Sequence, residues 1–155
     1  MGLISKLFGK DDPTGDWPAA TGKPALDPER HAVGPLQLGD SLEKARALGR
    51  PERVTGKLAD GTLLEYADFD LEFSKGQLVC ATFNLDPGKS VAVAGFTLTP
   101  TTTPLDVQAW LGEPSSDGRE GRFRWLDFER GDATLALEYT HGKLTCVQLY
   151  GPDYA

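Results

Sequence analysis

The chain has 155 residues, 39% of them hydrophobic and 25% charged. That composition fits one compact domain or two very small ones and excludes a disordered chain or a large multidomain enzyme. Lys and Arg total 16 against 23 Asp and Glu, a net charge of −7 with no basic cluster to offset it, so nucleic acid is not expected as a direct partner.

Leu3, Ile4, Leu7 and Phe8 share one helical face, which predicts a short N-terminal helix. Ser5 and Lys6 interrupt this apolar run, so it does not read as a secretory signal. No segment approaches the roughly 20 apolar residues of a membrane span. A cytoplasmic protein without a membrane span is the expectation. Residues 11–35 then hold five of the 11 prolines, Pro13, Pro18, Pro24, Pro28 and Pro35. Each removes a backbone donor, so this stretch reads as an extended arm pinned by Trp17. Residues 1–35 are accordingly predicted as a short helix plus a proline-rich arm.

Beyond the arm the sequence repeats itself. Leu42 to Pro51 and Leu105 to Pro114 both read L-x-x-x-x-x-L-G-x-P, at an offset of 63. Asp40 or Ser41, and Thr102 or Thr103, stand where a helix N-cap is wanted. Gly49 or Gly112 then stops the helix, and the proline prevents its restart. Strands are predicted from Thr62 to Tyr66, Phe69 to Ser74 and Gln77 to Leu85, then from Arg122 to Phe128, Ala133 to Thr140 and Lys143 to Tyr150. The closing strands match best, with Gly76, Leu78 and Cys80 against Gly142, Leu144 and Cys146 at an offset of 66. Leu36-Gln37-Leu38 and Phe96-Thr97-Leu98 are expected to open the two copies. The fold class that follows is α+β: a tandem repeat of a short helix plus a three- to four-stranded antiparallel meander, two units side by side. Residues 36–90 form the first unit and 91–155 the second, with Pro87-Gly88-Lys89-Ser90 at the joint. A unit of roughly 60 residues has a thin core, so the two are expected to pair, edge to edge or through Trp110 and the helices.

A helix ending in Leu-Gly-x-Pro, an aromatic second strand and a Gly-led closing strand together resemble the β-lactamase-inhibitory-protein-like fold. The small lipoprotein of the outer-membrane β-barrel assembly machinery is similar to one such unit, and the tandem inhibitor to two. The resemblance covers residues 36–150 and implies a protein-binding scaffold whose sheets form a gripping face. It further implies that the hairpin Tyr66-Ala67-Asp68-Phe69 matches the inhibitor's inserted hairpin, with Asp68 as its acid. The chain departs from the inhibitor in having one cysteine per unit where the inhibitor has a disulfide, and from the lipoprotein in lacking its lipidated cysteine.

The residues themselves offer little catalytic chemistry. Cys80 and Cys146 lack metal-ligand spacing, and His31 and His141 do not complete a zinc site with them. No phosphate-binding glycine loop is present. Asp68, Asp70 and Glu72, with Glu65 nearby, form the densest acidic group. They admit three readings: a solvated strand face, a patch for a basic partner, or a metal or acid–base site. Phe123 and Trp125 share one face of their strand, opposite Arg122 and Arg124. If the helices cover one sheet face only, these aromatics stand exposed on the other, as interface anchors do. The expectation is a non-enzymatic protein-binding module, an immunity-type inhibitor that occludes a basic toxin or enzyme with its sheet face. Tyr66, Asp68, Asp70, Glu72 and Trp125 are the expected contacts, with no cofactor and no metal. The alternatives are an adaptor or assembly factor docking through its arm, and a carboxylate- or metal-dependent enzyme.

Overall fold

The computed structural model describes residues 12–57 and 61–154; the expected N-terminal helix lies outside them. In chain order the elements are β1 (Leu26–Asp27), β2 (Ala32–Val33), β3 (Leu36–Gln37), a 3-10 helix η1 (Leu42–Leu48), β4 (Arg53–Lys57), β5 (Gly61–Glu65), β6 (Asp70–Ser74), β7 (Gln77–Asn84), β8 (Val91–Val93), β9 (Phe96–Leu98), α1 (Pro104–Leu111), β10 (Ser116–Glu120), β11 (Phe123–Arg130), β12 (Ala133–Thr140) and β13 (Lys143–Tyr150). They build a five-stranded sheet of order β3-β2-β1-β8-β9 and an eight-stranded sheet of order β10-β11-β12-β13-β7-β6-β5-β4. Every pairing is antiparallel except β1 with β8.

The expected α+β class is therefore corrected. Strand accounts for 46% of the described residues and helix for only 11%. The two meanders join edge to edge, because β7 pairs with β13 and fuses β4–β7 and β10–β13 into one sheet. The helices are short because each is stopped within about two turns by its Leu-Gly-x-Pro end. In η1 the buried residues Leu42, Ala45 and Leu48 recur every third position, which is the period of a 3-10 helix, and Ser41 provides no side-chain cap. The α-helix α1 has a complete capping box, Thr103 accepting from the Asp106 amide while the Asp106 carboxylate accepts from the Thr103 amide.

The fused sheet has a local twofold about its centre. Cys146 faces Asn84 and Tyr150 faces Cys80, and the 66-residue offset converts one pair into the other. The axis passes between Thr82 and Gln148, which pair directly, and the Gln148 amide donates to the Thr82 hydroxyl at 3.1 Å. Register shifts recur at the same offset, between Glu72 and Phe73 and between Glu138 and Tyr139. Each shift precedes a two-residue turn, Lys75-Gly76 or His141-Gly142, with both residues at positive φ, the geometry that suits a twisted hairpin.

Alternation along these strands sends Leu64, Leu71, Phe73, Phe83, Leu126, Phe128, Leu135, Leu137, Val147 and Leu149 to one face. There they form one continuous buried cluster with Leu26, Val33, Leu36, Val91, Val93 and Leu98 of the small sheet and with Leu42, Ala45, Leu48 and Val107 of the helices. The arm belongs to this assembly. Trp17 is 5% exposed, the Thr21 amide donates to Leu48, and the Arg50 amide donates to Pro18. Its last residues form β1 and β2. Among the described residues no helix is long and apolar enough to cross a membrane.

Candidate functional site

Because the small sheet and helices line one face of the eight-stranded sheet, the residues between the core positions form the other face. Register places Asp70 opposite Glu65 and Thr82, Glu72 opposite Leu63 and Cys80, and Gln148 opposite Ala136. On the β10 side it places Trp125 opposite Glu138 and Gly118, Phe123 opposite Thr140 and Glu120, and Asp127 opposite Ala136 and Ser116. Asp70, Glu72, Phe123, Trp125, Asp127 and Glu138 are all partly exposed. This is a carboxylate-rich face with two aromatic pairs, Phe123 with Trp125 and, near the centre, Tyr150 with Tyr154.

Trp125 has a specific seat. Phe123 and Trp125 have ring centroids 5.7 Å apart, tilted by 40°. On the other side the indole lies over Gly118 of the edge strand, where an added Cβ would come within 1.9 Å of Cζ2. The missing side chain is what lets the ring lie flat on β10. The corresponding row of the first meander holds Thr55, Leu63 and Glu72 where the second holds Gly118, Trp125 and Glu138. The two halves thus share a backbone and a carboxylate but differ in the aromatic seat.

The carboxylates differ in how they are balanced. Arg53 grips Glu65 with two hydrogen bonds of 2.5 and 2.8 Å. That charge-assisted hydrogen bond holds the Glu65 carboxyl below its ordinary range. Asp68, in the β5–β6 turn, is ion-paired with Lys89. Asp70 is pushed up by desolvation and then by the Glu65 charge. Asp127 is likewise pushed up, by desolvation and then by Glu129. Among the described residues neither Asp127 nor Glu138 has an ion-pair partner.

The five residues singled out from sequence are therefore not one cluster. Asp70, Glu72 and Trp125 share the open face, at opposite ends of it. Asp68 sits at a turn, engaged by a cation 21 residues away. Tyr66 is 7% exposed, stacked on Phe69 at 4.5 Å, and its hydroxyl donates to the Gly49 carbonyl at 2.7 Å. Burial pushes that phenol up to about 12. Tyr66 is a core residue tying the first meander to the end of η1. Sequence reading missed Asp127, Glu138 and the Gly118 seat. A glycine opposite an aromatic on an edge strand was the available signal.

Other features are chemically quieter. Among the described residues no group of three or more His, Cys, Asp or Glu is arranged to hold a metal ion. Cys80 and Cys146 are buried and unpaired, and desolvation raises them to about 11 and about 12, which makes them poor nucleophiles. His31 Nε2 donates to the Arg130 carbonyl at 2.6 Å, and His141 is a turn residue. A cleft of about 940 Å³ lies between the 85–90 connection, the β9–α1 loop and the β12–β13 hairpin. Its lining joins Leu85, Pro87, Pro100 and threonines to Ser90, Lys89, Lys143 and His141, and the His141 ring makes no hydrogen bond to a hydroxyl among the described residues.

No protein-family model and no curated protein matches the chain. The fold is similar to a solved structure, that of a DUF4309 family protein (YjgB) from Bacillus subtilis. The TM-score is 0.53 at 17% identity, covering 77% of this chain and 84% of that one. A likeness at that identity speaks for the fold alone.

Proposed function

We propose that the chain is a non-enzymatic binding module of the bacterial cytoplasm, an immunity-type inhibitor that covers a basic partner protein with the open face of its eight-stranded sheet. One observation carries this reading. A sheet face on which Tyr154 packs against Tyr150 near the centre presents Asp70 and Glu72 towards one end, and Asp127 and Glu138 beside a partly exposed Phe123–Trp125 pair towards the other. Aromatic anchors within a polar rim are where interface energy concentrates. A face of one sign steers an oppositely charged partner and raises its association rate. Two free buried thiols suit a reducing compartment, and the Bacillus source of the structural neighbour supports a bacterial setting. The adaptor alternative has less support, since Pro18 and Thr21 of the arm are hydrogen-bonded to η1 and the residues just past its end.

The test is capture of partners by the tagged full chain from lysate of its source cell, at increasing salt. It is repeated with Trp125→Ala, with Asp127→Asn, and with Glu43→Gln on the exposed side of η1. Support is one stoichiometric basic partner whose retention falls with salt, is lost with the two open-face variants and survives Glu43→Gln. A partner held equally by all variants, a set of substoichiometric partners, or none refutes the reading.

A further inference from the structure

Resting on the open face as the binding surface, we infer that its anchor is the β10–β12 half, where Trp125, Asp127 and Glu138 form a receptor for an arginine side chain of a basic partner. The local twofold supplies an internal comparison. Both halves offer a carboxylate in the same row, Glu72 in one and Glu138 in the other. Only the second replaces Leu63 by an aromatic, Trp125, and Thr55 by glycine, Gly118. The two changes belong together, because any side chain at Gly118 would collide with the indole where it now lies.

The chemistry of this half suits a guanidinium. A planar cation stacks on an indole better than an ammonium does, and it hydrogen-bonds a carboxylate in the same plane. Glu138 stands directly across the ladder from Trp125, and Asp127 is the next residue on the same face of β11. Opposite Asp127 is Ala136, a small, buried side chain that contributes no charge to this half. In the first half Glu65, the counterpart of Asp127, is held by Arg53, although Glu72, like Glu138, has no ion-pair partner among the described residues. Arg124, the nearest arginine in sequence to Trp125, is held by Asp117 at 3.0 Å on the opposite face of the sheet.

The experiment is an amide and indole N–H chemical-shift titration of the isotope-labelled full chain with acetyl-Gly-Arg-Arg-Gly-amide. Twins carrying citrulline or lysine in place of arginine serve as comparisons. The expected result is movement of the Trp125 indole signal and of the Gly118, Asp127 and Glu138 amides. The arginine peptide should bind about 2- to 30-fold more tightly than the citrulline twin, the span of a cation–π contact from exposed to desolvated. The double variant Trp125→Leu with Gly118→Thr copies the arrangement the first meander already accommodates, so its fold is retained, and it should erase the arginine preference. Shifts centred on Asp70 and Glu72 overturn the inference while leaving the open-face reading intact. Equal binding of the citrulline or lysine twin also overturns it, as does an unchanged preference in the double variant. No response on either half overturns it too, with partner capture then deciding the open-face reading separately.

Discussion

The two Leu-Gly-x-Pro helix ends allow one perturbation to be made twice, with only one surrounding changed. Gly49 has φ 84° and ψ −174°, and Gly112 has φ 88° and ψ −165°. Both lie in a region nearly confined to glycine, where alanine costs about 1–3 kcal/mol of backbone strain. Their surroundings differ. A Cβ on Gly112 would meet nothing within 4 Å, whereas one on Gly49 would lie 2.3 Å from the Ala19 carbonyl oxygen and 2.5 Å from the Ala20 Cα. Those atoms are backbone of the arm, which is bonded to both sides of the helix end through Thr21 to Leu48 and Arg50 to Pro18. Relief requires the arm to move, and overpacking of this kind costs a further 1–3 kcal/mol or so. Gly112→Ala should therefore lose about 1–3 kcal/mol and Gly49→Ala about 2–6 kcal/mol. Urea unfolding followed by circular dichroism measures both. Gly49→Ala should in addition expose the arm to limited proteolysis near residues 18–21. Equal losses in the two variants, with the arm equally protected, would refute the claim that the arm is packed against η1 by close backbone contact.

Two buried tyrosines should respond in opposite directions to loss of the hydroxyl. Tyr66→Phe breaks the 2.7 Å bond to Gly49 and should cost about 1–3 kcal/mol. Tyr139 has a buried hydroxyl with no hydrogen-bond partner among the described residues, so Tyr139→Phe should gain about 1 kcal/mol in the same urea assay. The raised Tyr66 phenol adds a pH dependence. Its folded value of about 12 stands above an unfolded value of about 10, so its stabilisation is present below about pH 10 and lost as pH climbs toward 12. Wild type should lose stability across that window more steeply than Tyr66→Phe, read by thermal melts. Asp127 has a raised carboxyl, so its charge disfavours the fold at neutral pH and protonation relieves this as pH falls through the folded value. Asp127→Asn should raise Tm at pH 7, by a margin that shrinks on acidification, while weakening partner capture. An unchanged Tm would sink the desolvation argument. Cys80 and Cys146 pair with Tyr150 and Asn84, so they stand four residues apart in register, roughly 13 Å along the strands. That is too far for a disulfide. A thiol reagent should label both only as fast as the chain unfolds, and rapid native labelling of either would contradict their burial.

Much of the local architecture was legible. The bounds of β12 and β13 follow from alternation and from glycine-containing turns, and the ends of η1 and α1 follow from their shared glycine and proline. What was missed has a common character. Ser116–Glu120 contains no β-branched or aromatic residue, and Arg53–Lys57 contains one glycine and one large apolar residue. Both are strands through pairing with β11 and β5, at the two outer edges of the sheet. Strands β1 and β2 span two residues each and β8 three, too few for any period to register. Counting these strands is what turns the expected α+β class into a mostly β fold. In the site, period two placed Asp70 with Glu72 and Phe123 with Trp125. Tyr66 and Asp68 were instead suggested by the resemblance to the inhibitor's hairpin, and they lie at a turn where alternation ends and side-chain direction is set by the turn.

Periodicity, capping and turn chemistry act over a few residues, so the sequence by itself determined the longer strands β5 to β7 and β11 to β13, the stops of both helices and the twofold echo between residues 42–85 and 105–150. Which edge each meander would offer the other, and hence which sheet face would be left open, depends on contacts between residues some 66 positions apart. The pairing of β7 with β13 buries a shared core on one side only, and that long-range choice leaves Trp125, Asp127 and Glu138 facing outward while Tyr66 turns in.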